Sequence, residues 1–177
     1  MQAHDYAVFT EFSPASKAML PGWNTRVFTD VASTPGGTIR CDFTTGIITL
    51  TPGSYHITGF STVTYNSGGE PPEMSTIRAP ASAGYCRLRT YNPRATVDPS
   101  KSNMRSLPND DPSVICIGSG CTANMTPSLV EAYYTTGEPV QILLEHQSGS
   151  NPDQIFLRVY VEESRWHALA RIAIRRI

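Results

Sequence analysis

The run from Val27 to Tyr65, VFTDVASTPGGTIRCDFTTGIITLTPGSYHITGFSTVTY, constrains the fold more than any other part of the chain. It consists of short segments rich in Val, Ile, Thr, Tyr and Phe, cut by Gly and Pro turns. β-Branched and aromatic side chains fit the pleated, half-buried surface of a strand, and Gly and Pro supply the turn conformations between strands. Short strands at this spacing predict an all-β sandwich. The same signals predict strands at Tyr6–Phe12, Thr25–Asp30, Thr38–Phe43, Gly46–Leu50, Ser54–Tyr65, Gly84–Tyr91, Ser113–Ile117, Ser128–Tyr134, Val140–His146 and Gln154–Val161.

Alternation assigns faces. Over Ser54–Thr64, Tyr55, Ile57, Gly59, Ser61 and Val63 share one side, and His56, Thr58, Phe60, Thr62 and Thr64 share the other. The first set suits a core between two sheets. The second, aromatic and Thr-rich, suits a subunit interface. The segment VQILLEH is almost continuously apolar, which predicts a strand buried on both faces, one against the core and one against a partner subunit. The C-terminal ESRWHALARIAIRRI has two readings. As a helix, Trp166, Leu169, Ala173 and Ile177 form an apolar stripe. As a strand, Trp166, Ala168, Ala170, Ile172 and Ile174 line one face, and the cleaner alternation over Ala168–Arg175 favours it.

At 177 residues and 40% hydrophobic content, the chain reads as one domain over 1–177. Two polar, turn-rich stretches, 66–83 and 92–112, exceed ordinary hairpin loops and predict excursions at a sandwich end. Loops on a rigid scaffold are where binding residues concentrate, although a tolerated insertion has the same composition. Fourteen basic residues against 15 acidic ones leave a formal charge of -1, which argues against binding nucleic acid or a membrane surface through bulk charge. No apolar run approaches the ~18 residues of a membrane-spanning helix, so no membrane insertion is expected. The start MQAHDYAVFTEF lacks the basic and apolar regions of a signal peptide, consistent with a chain made without one or with an excised head domain.

Four cysteines, Cys41, Cys86, Cys116 and Cys121, allow three full pairings; free or structural cysteines are the favoured reading, and a local Cys116–Cys121 disulfide across the short IGSG loop is the alternative in an oxidising compartment. The spacing does not fit a zinc site. His4, His56, His146 and His167 sit in separate segments, and no nucleophile elbow, phosphate-binding loop or His-Glu-x-x-His helix is present. Glu145-His146 therefore reads as a satisfied, partly buried interface pair, not as a catalytic pair. Histidines meeting at a subunit interface would loosen it on protonation near pH 6. Asn109, Asp110 and Asp111 form the densest cluster of hard oxygen donors. This gives calcium at Asp110 and Asp111 as one reading and a solvated turn as the other. Asn124-Met125-Thr126 is a glycosylation sequon, and Arg171, Arg175 and Arg176 form a basic cluster that suits either an anionic partner or a soluble edge.

DFTTGIITLTPGSYHITGFS resembles the strand, TG turn, strand, PG turn and aromatic strand of the complement globular-head and tumour-necrosis-factor-like jelly rolls. Thr45-Gly46 matches the first turn, and Pro52-Gly53 with Tyr55 and Ile57 the second. SLVEAYYTTGEPVQILLEHQ is similar to the family's apolar strand, acidic Gly turn and following strand, with Gly137, Glu138 and Val140 in the turn. SRWHALARIAI resembles the closing strand, through Ser164, Trp166, Ala168 and Leu169. Three departures bear on register: a shorter stretch between the two turns, an extended QIFLRVYVEES, and Ala where the family closes on Gly. The three matches fall in the family's order and cover most of the chain outside the two long stretches.

The resemblance implies a two-sheet jelly roll of about ten strands that assembles as a homotrimer. Tyr55, His56, Phe60, Tyr133, Tyr134, Leu143 and Trp166 are then expected to divide between core and trimer interface. It also implies a non-enzymatic domain that binds a glycan or protein ligand through variable loops, with no ligand residue carried over. A surface fibre or phage spike head fits this reading, and only two of the basic residues being Lys hints at a G+C-rich bacterial or phage genome. An extracellular, cell-surface or virion location is the one favoured. The alternatives are a trimerisation module without its own ligand and, with no motif in support, a jelly-roll enzyme.

Overall fold

The computed structural model of the chain describes residues 5–12, 17–20, 22–34, 36–63, 84–92, 111–121, 126–147, 156–158 and 168–177. Among these residues every helix or strand element is a strand. One antiparallel sheet runs in the order β10 (Ser128–Thr136), β7 (Gly53–Ser61), β13 (Ala168–Arg176), β1 (Tyr6–Phe12) and β4 (Asp30–Ser33). The second runs β5 (Ile39–Cys41), β6 (Ile48–Leu50), β11 (Val140–Gln147), β8 (Tyr85–Thr90) and β9 (Val114–Ile117). A further strand of this sheet, β3 (Trp23–Thr25), pairs with the end of β11. The short β2 (Lys17–Ala18) and β12 (Phe156–Arg158) pair with each other. The architecture is a β-sandwich.

The inward faces of the two sheets build one core. Phe9, Tyr55, Ile57, Ile172 and Ile174 from the five-stranded sheet pack with Ile48, Leu50, Leu88, Ile142 and Leu144 from the six-stranded one. Alternation in β7 is as expected: Tyr55, Ile57 and Ser61 are fully buried, while His56, Thr58 and Phe60 are half-buried on the other side. Strand β11 is buried on both faces over Ile142–His146. Ile142, Leu144 and His146 point inward, whereas Leu143 and Glu145 are covered on the outer face within the single chain, so their burial needs no partner subunit. The C-terminal segment is a strand. It lies between β1 and β7, and hydrogen bonding to both neighbours overrides the helix propensity of its Ala, Leu and Arg residues.

The largest departure from expectation lies at Thr25–Asp30. Instead of one strand, β3 pairs with β11 in one sheet and β4 pairs with β1 in the other. The chain between them crosses from sheet to sheet, its ladders continued by Arg26 N–H to Leu144 O (2.9 Å) and Thr29 N–H to Thr10 O (2.9 Å). Phe28 is buried in the crossing.

The Thr45-Gly46 turn before β6 shows why glycine stands there. Asp42 accepts the Thr44 amide and the Thr45 hydroxyl, both at 2.8 Å, which holds its carboxyl below the usual carboxylate range. Gly46 has φ +76, and a Cβ at this position would lie 2.0 Å from the Arg26 carbonyl oxygen. Both the left-handed backbone and the close approach exclude a side chain. Gly46→Ala is expected to cost about 2–4 kcal/mol, read as a fall in the urea midpoint at unchanged slope. A loss below about 0.5 kcal/mol would mean that the turn does not hold the Arg26 segment in place.

Candidate functional site

The outer face of the five-stranded sheet is the most distinctive surface among the described residues. Its registers arrange outward side chains in three rows across β10, β7, β13 and β1: Leu129–Phe60–Arg171–Thr10, Glu131–Thr58–Ala173–Val8 and Tyr133–His56–Arg175–Tyr6. Tyr133 is 73% exposed and Leu129 57%, and Tyr6 is exposed at the other side. Isolated exposed apolar residues are ordinary, but several sharing one strand face make a patch. Thr58, Ala173 and Val8 of the middle row are small beside the third row, and a depression of about 110 Å³ opens between the two, lined by Tyr6, Val8, His56, Thr58, Ala173 and Arg175.

His56 fixes the rim of this depression. Its ring stacks on Tyr133 with centroids 4.6 Å apart and planes at 16°, and its Nε2 lies 2.9 Å from Glu131 Oε1. Glu131 is mostly exposed, so this pair contributes at most about 1 kcal/mol to folding. Its structural effect is to hold the Tyr133 ring against the sheet. Carboxylate and aromatic groups thus sit on the β10 side of the face, and the guanidinium groups of Arg171 and Arg175 on the β13 side.

Behind the face, one end of the sandwich is closed by buried polar groups. Arg26, fully buried, donates from Nε to Ser61 Oγ (2.8 Å), from a terminal nitrogen to Glu11 Oε2 (3.3 Å), and from the other to the Thr62 carbonyl. Ser61 Oγ lies 2.7 Å from His146 Nδ1. Arginine only donates, so Ser61 Oγ accepts from Arg26, and its hydrogen bond with His146 Nδ1 carries the network on to β11. A serine and a histidine at this distance have the geometry of an activated nucleophile, but both are 0% exposed. The arrangement packs the two sheets together; it presents no reacting atom to solvent.

A second charged group lies on the outer face of the six-stranded sheet. Glu145 Oε2 accepts from Arg87 Nε (3.0 Å) and Arg89 Nε (2.9 Å), and Arg87 also lies 3.8 Å from the centre of the Trp23 ring. Being adjacent in a strand, Glu145 and His146 point to opposite sides and belong to separate networks. Both are satisfied and buried, but they are not a pair.

The residues expected to feed core or interface separate as follows. Tyr55 is core, with its hydroxyl donating to the Thr51 carbonyl (2.8 Å). Tyr134 packs partly against the core, and Leu143 is buried on the outer side of β11. His56, Phe60 and Tyr133 come together on the exposed face. Trp166, His4, His167, Asp110, the sequon at Asn124 and nearly all of 66–83 and 92–112 lie outside the described residues. Asp111 accepts the Ser113 amide (2.8 Å) in a turn, and no cluster of three metal-ligating side chains occurs among the described residues. Sequence reading missed Leu129, Glu131 and Tyr6 on the exposed face. The alternation Leu129, Glu131, Tyr133, Thr135 within SLVEAYYTT carried that signal. It also missed the Arg26 network, for which no local signal exists.

No protein-family model matches the chain, and no curated protein matches it.

Proposed function

We propose that the chain is a non-enzymatic recognition domain with a jelly-roll fold. It assembles as a homotrimer through the outer face of the five-stranded sheet and binds a glycan or protein ligand through its long loops, as the head of a surface fibre or phage spike. The observation that carries this reading is the exposed face built by Leu129, Tyr133, Phe60, His56 and Tyr6. A closed three-fold assembly covers such a face on every copy without leaving a free one. Its acidic, aromatic β10 side and its basic β13 side are complementary, which suits a ring in which unlike patches meet. Support for the jelly roll comes from the way successive strands alternate between sheets, β6 to β7 to β8 and β9 to β10 to β11.

The described residues that flank the two long stretches stand at opposite ends of the sandwich. The first is anchored beside Ser61 and Tyr85, the end closed by Arg26, and the second beyond Thr90 and before Val114. One end is then free for a ligand while the other faces a stalk. A pure trimerisation module would use the same face but bind no ligand at either end.

The native mass tests assembly first. The expected value is three times 19.3 kDa, and a monomer at micromolar concentration would overturn the reading. A glycan array on the trimer tests recognition, with binding expected to disappear when one of the two loops is replaced by a Gly/Ser linker. A trimer that binds nothing and has no protein partner favours the trimerisation module.

A further inference from the structure

We propose that Cys86 and Cys121 are a disulfide-forming pair, a covalent staple at the end of the sandwich where the 66–83 segment rejoins β8. The proposal depends neither on trimerisation nor on ligand binding. All four cysteines are free thiols in the structure.

The placement follows from the ladder between β8 and the chain beyond β9. Arg87 faces Ile117, so Cys86 faces Gly118, whose amide donates to the Cys86 carbonyl (2.7 Å). Two residues earlier in β8, the Gly84 carbonyl accepts the Cys121 amide (2.8 Å). Positions 84 and 86 share one strand face, so Cys121 is the diagonal neighbour of Cys86 on the buried side. Both residues are buried, Cys86 at 0% and Cys121 at 3% exposure.

A glycine clears space for the Cys86 sulfur: Gly118 stands opposite Cys86, where a Cβ would come within 2.8 Å of that sulfur. Ser128 lies against the site: its hydroxyl accepts the Cys86 amide (2.9 Å) and its carbonyl accepts the Cys86 thiol (3.3 Å). Burial pushes both thiols up, Cys86 to about 11, and hydrogen bonding to Ser128 opposes that rise in each. The rival is Cys116, the other diagonal neighbour of Cys86, but it is only half-buried, whereas Cys121 is buried with Cys86. Diagonal neighbours stand roughly 7–8 Å apart, beyond the ~4.4–6.8 Å span of a disulfide, so closing the bridge requires a backbone movement of about 1 Å. Gly120, with open space where a Cβ would stand, directly precedes Cys121 and supplies that movement.

The step balances with a small-molecule disulfide, such as oxidised glutathione, as oxidant. One cysteine thiolate attacks a sulfur of the reagent, expels one thiol and leaves a mixed disulfide. The second cysteine thiolate then attacks the protein-bound sulfur and expels the other thiol. The protein loses two protons and two electrons, and the reagent leaves as two thiols. The raised thiols make exchange slow in the closed fold and faster during folding or at alkaline pH. An oxidising compartment would therefore set the bond as the chain folds.

The test uses the full chain, reduced and unfolded in urea, then refolded at pH 8 in mixed reduced and oxidised glutathione. Free thiols are trapped with iodoacetamide and the bridge is mapped by peptide mass. The expected result is a single Cys86–Cys121 bridge in most molecules. The melting temperature should lie about 5 °C or more above that of the reduced chain, and dithiothreitol should abolish the difference. Cys116→Ala keeps the bridge and Cys121→Ala loses it. A chain that stays fully reduced, or a bridge that maps to Cys116 or Cys41, overturns the proposal. Mapping on the unsubstituted chain decides the matter even where a variant fails to fold.

Discussion

Arg26→Met is expected to destabilise the fold by about 3–5 kcal/mol, the largest effect of any single substitution proposed for this chain. Methionine has roughly the length of the arginine stem and fills its volume, so little of the loss comes from a cavity. The loss comes from charge. In the native chain Glu11 is 1% exposed and faces the Arg26 guanidinium, and Ser61 and the Thr62 carbonyl also accept from it. Removing the guanidinium takes one charged partner from a buried carboxylate and the donor from two further oxygens. Urea unfolding followed by tryptophan fluorescence measures the change. A loss below about 1 kcal/mol would mean that the network contributes little to stability.

The double variant Glu11→Gln/Arg26→Met separates charge from packing. Breaking one side of a buried ion pair costs far more than replacing both sides. The double variant is therefore expected to recover at least about 1 kcal/mol of the Arg26→Met loss, through the coupling of two groups in one network. If the two losses add, the guanidinium acts through Ser61 and Thr62 alone and the Glu11 contact contributes nothing. The network joins β1, β7 and the crossing segment to β11, so its loss should loosen the end of the sandwich that anchors the first long loop.

That network also marks the limit of what local pattern reveals. Arg26 stands in WNTRVFTD, where an isolated arginine beside Thr and Asn reads as a surface residue. Its burial depends on Glu11, 15 residues before it, on Ser61, 35 residues after, and on His146 beyond Ser61. Nothing in the neighbouring sequence encodes those distances. The same segment misleads about strand boundaries for a related reason. A chain crossing between two sheets stays extended and keeps apolar residues such as Phe28 inside, so it has a strand's composition without one strand's partner. By contrast β7 and β11 were legible side chain by side chain, because alternation and continuous apolar character follow directly from one-sided and two-sided burial. Strand β13 lay between these cases. Its alternation favoured a strand, but only the two flanking ladders exclude a helix. The exposed face was half legible: Tyr133, His56 and Phe60 were recognised as packing residues, but which of them faced outward depended on register.

Leu129→Asp/Tyr133→Asp is the second large expected effect, and it acts on assembly while leaving the fold in place. Both side chains project from β10 into solvent in the single chain, so neither contributes a core contact whose loss would unfold it. In the proposed trimer each would carry a new carboxylate into a desolvated contact on every copy. Burying an unpaired charge costs several kcal/mol, enough to weaken association by about 1,000-fold or more. Native mass should fall from three chains to one at micromolar concentration, while the β-sheet circular dichroism stays the same. Ile117→Asp is the control. Ile117 is 49% exposed on β9, in the other sheet, so a carboxylate added there should leave the trimer intact. If both variants remain trimeric, the subunits meet through another face and the ridge formed by Leu129 and Tyr133 is not the interface. If only the control dissociates, the interface lies on the six-stranded sheet, and the outer face of the five-stranded sheet becomes the candidate surface for a ligand.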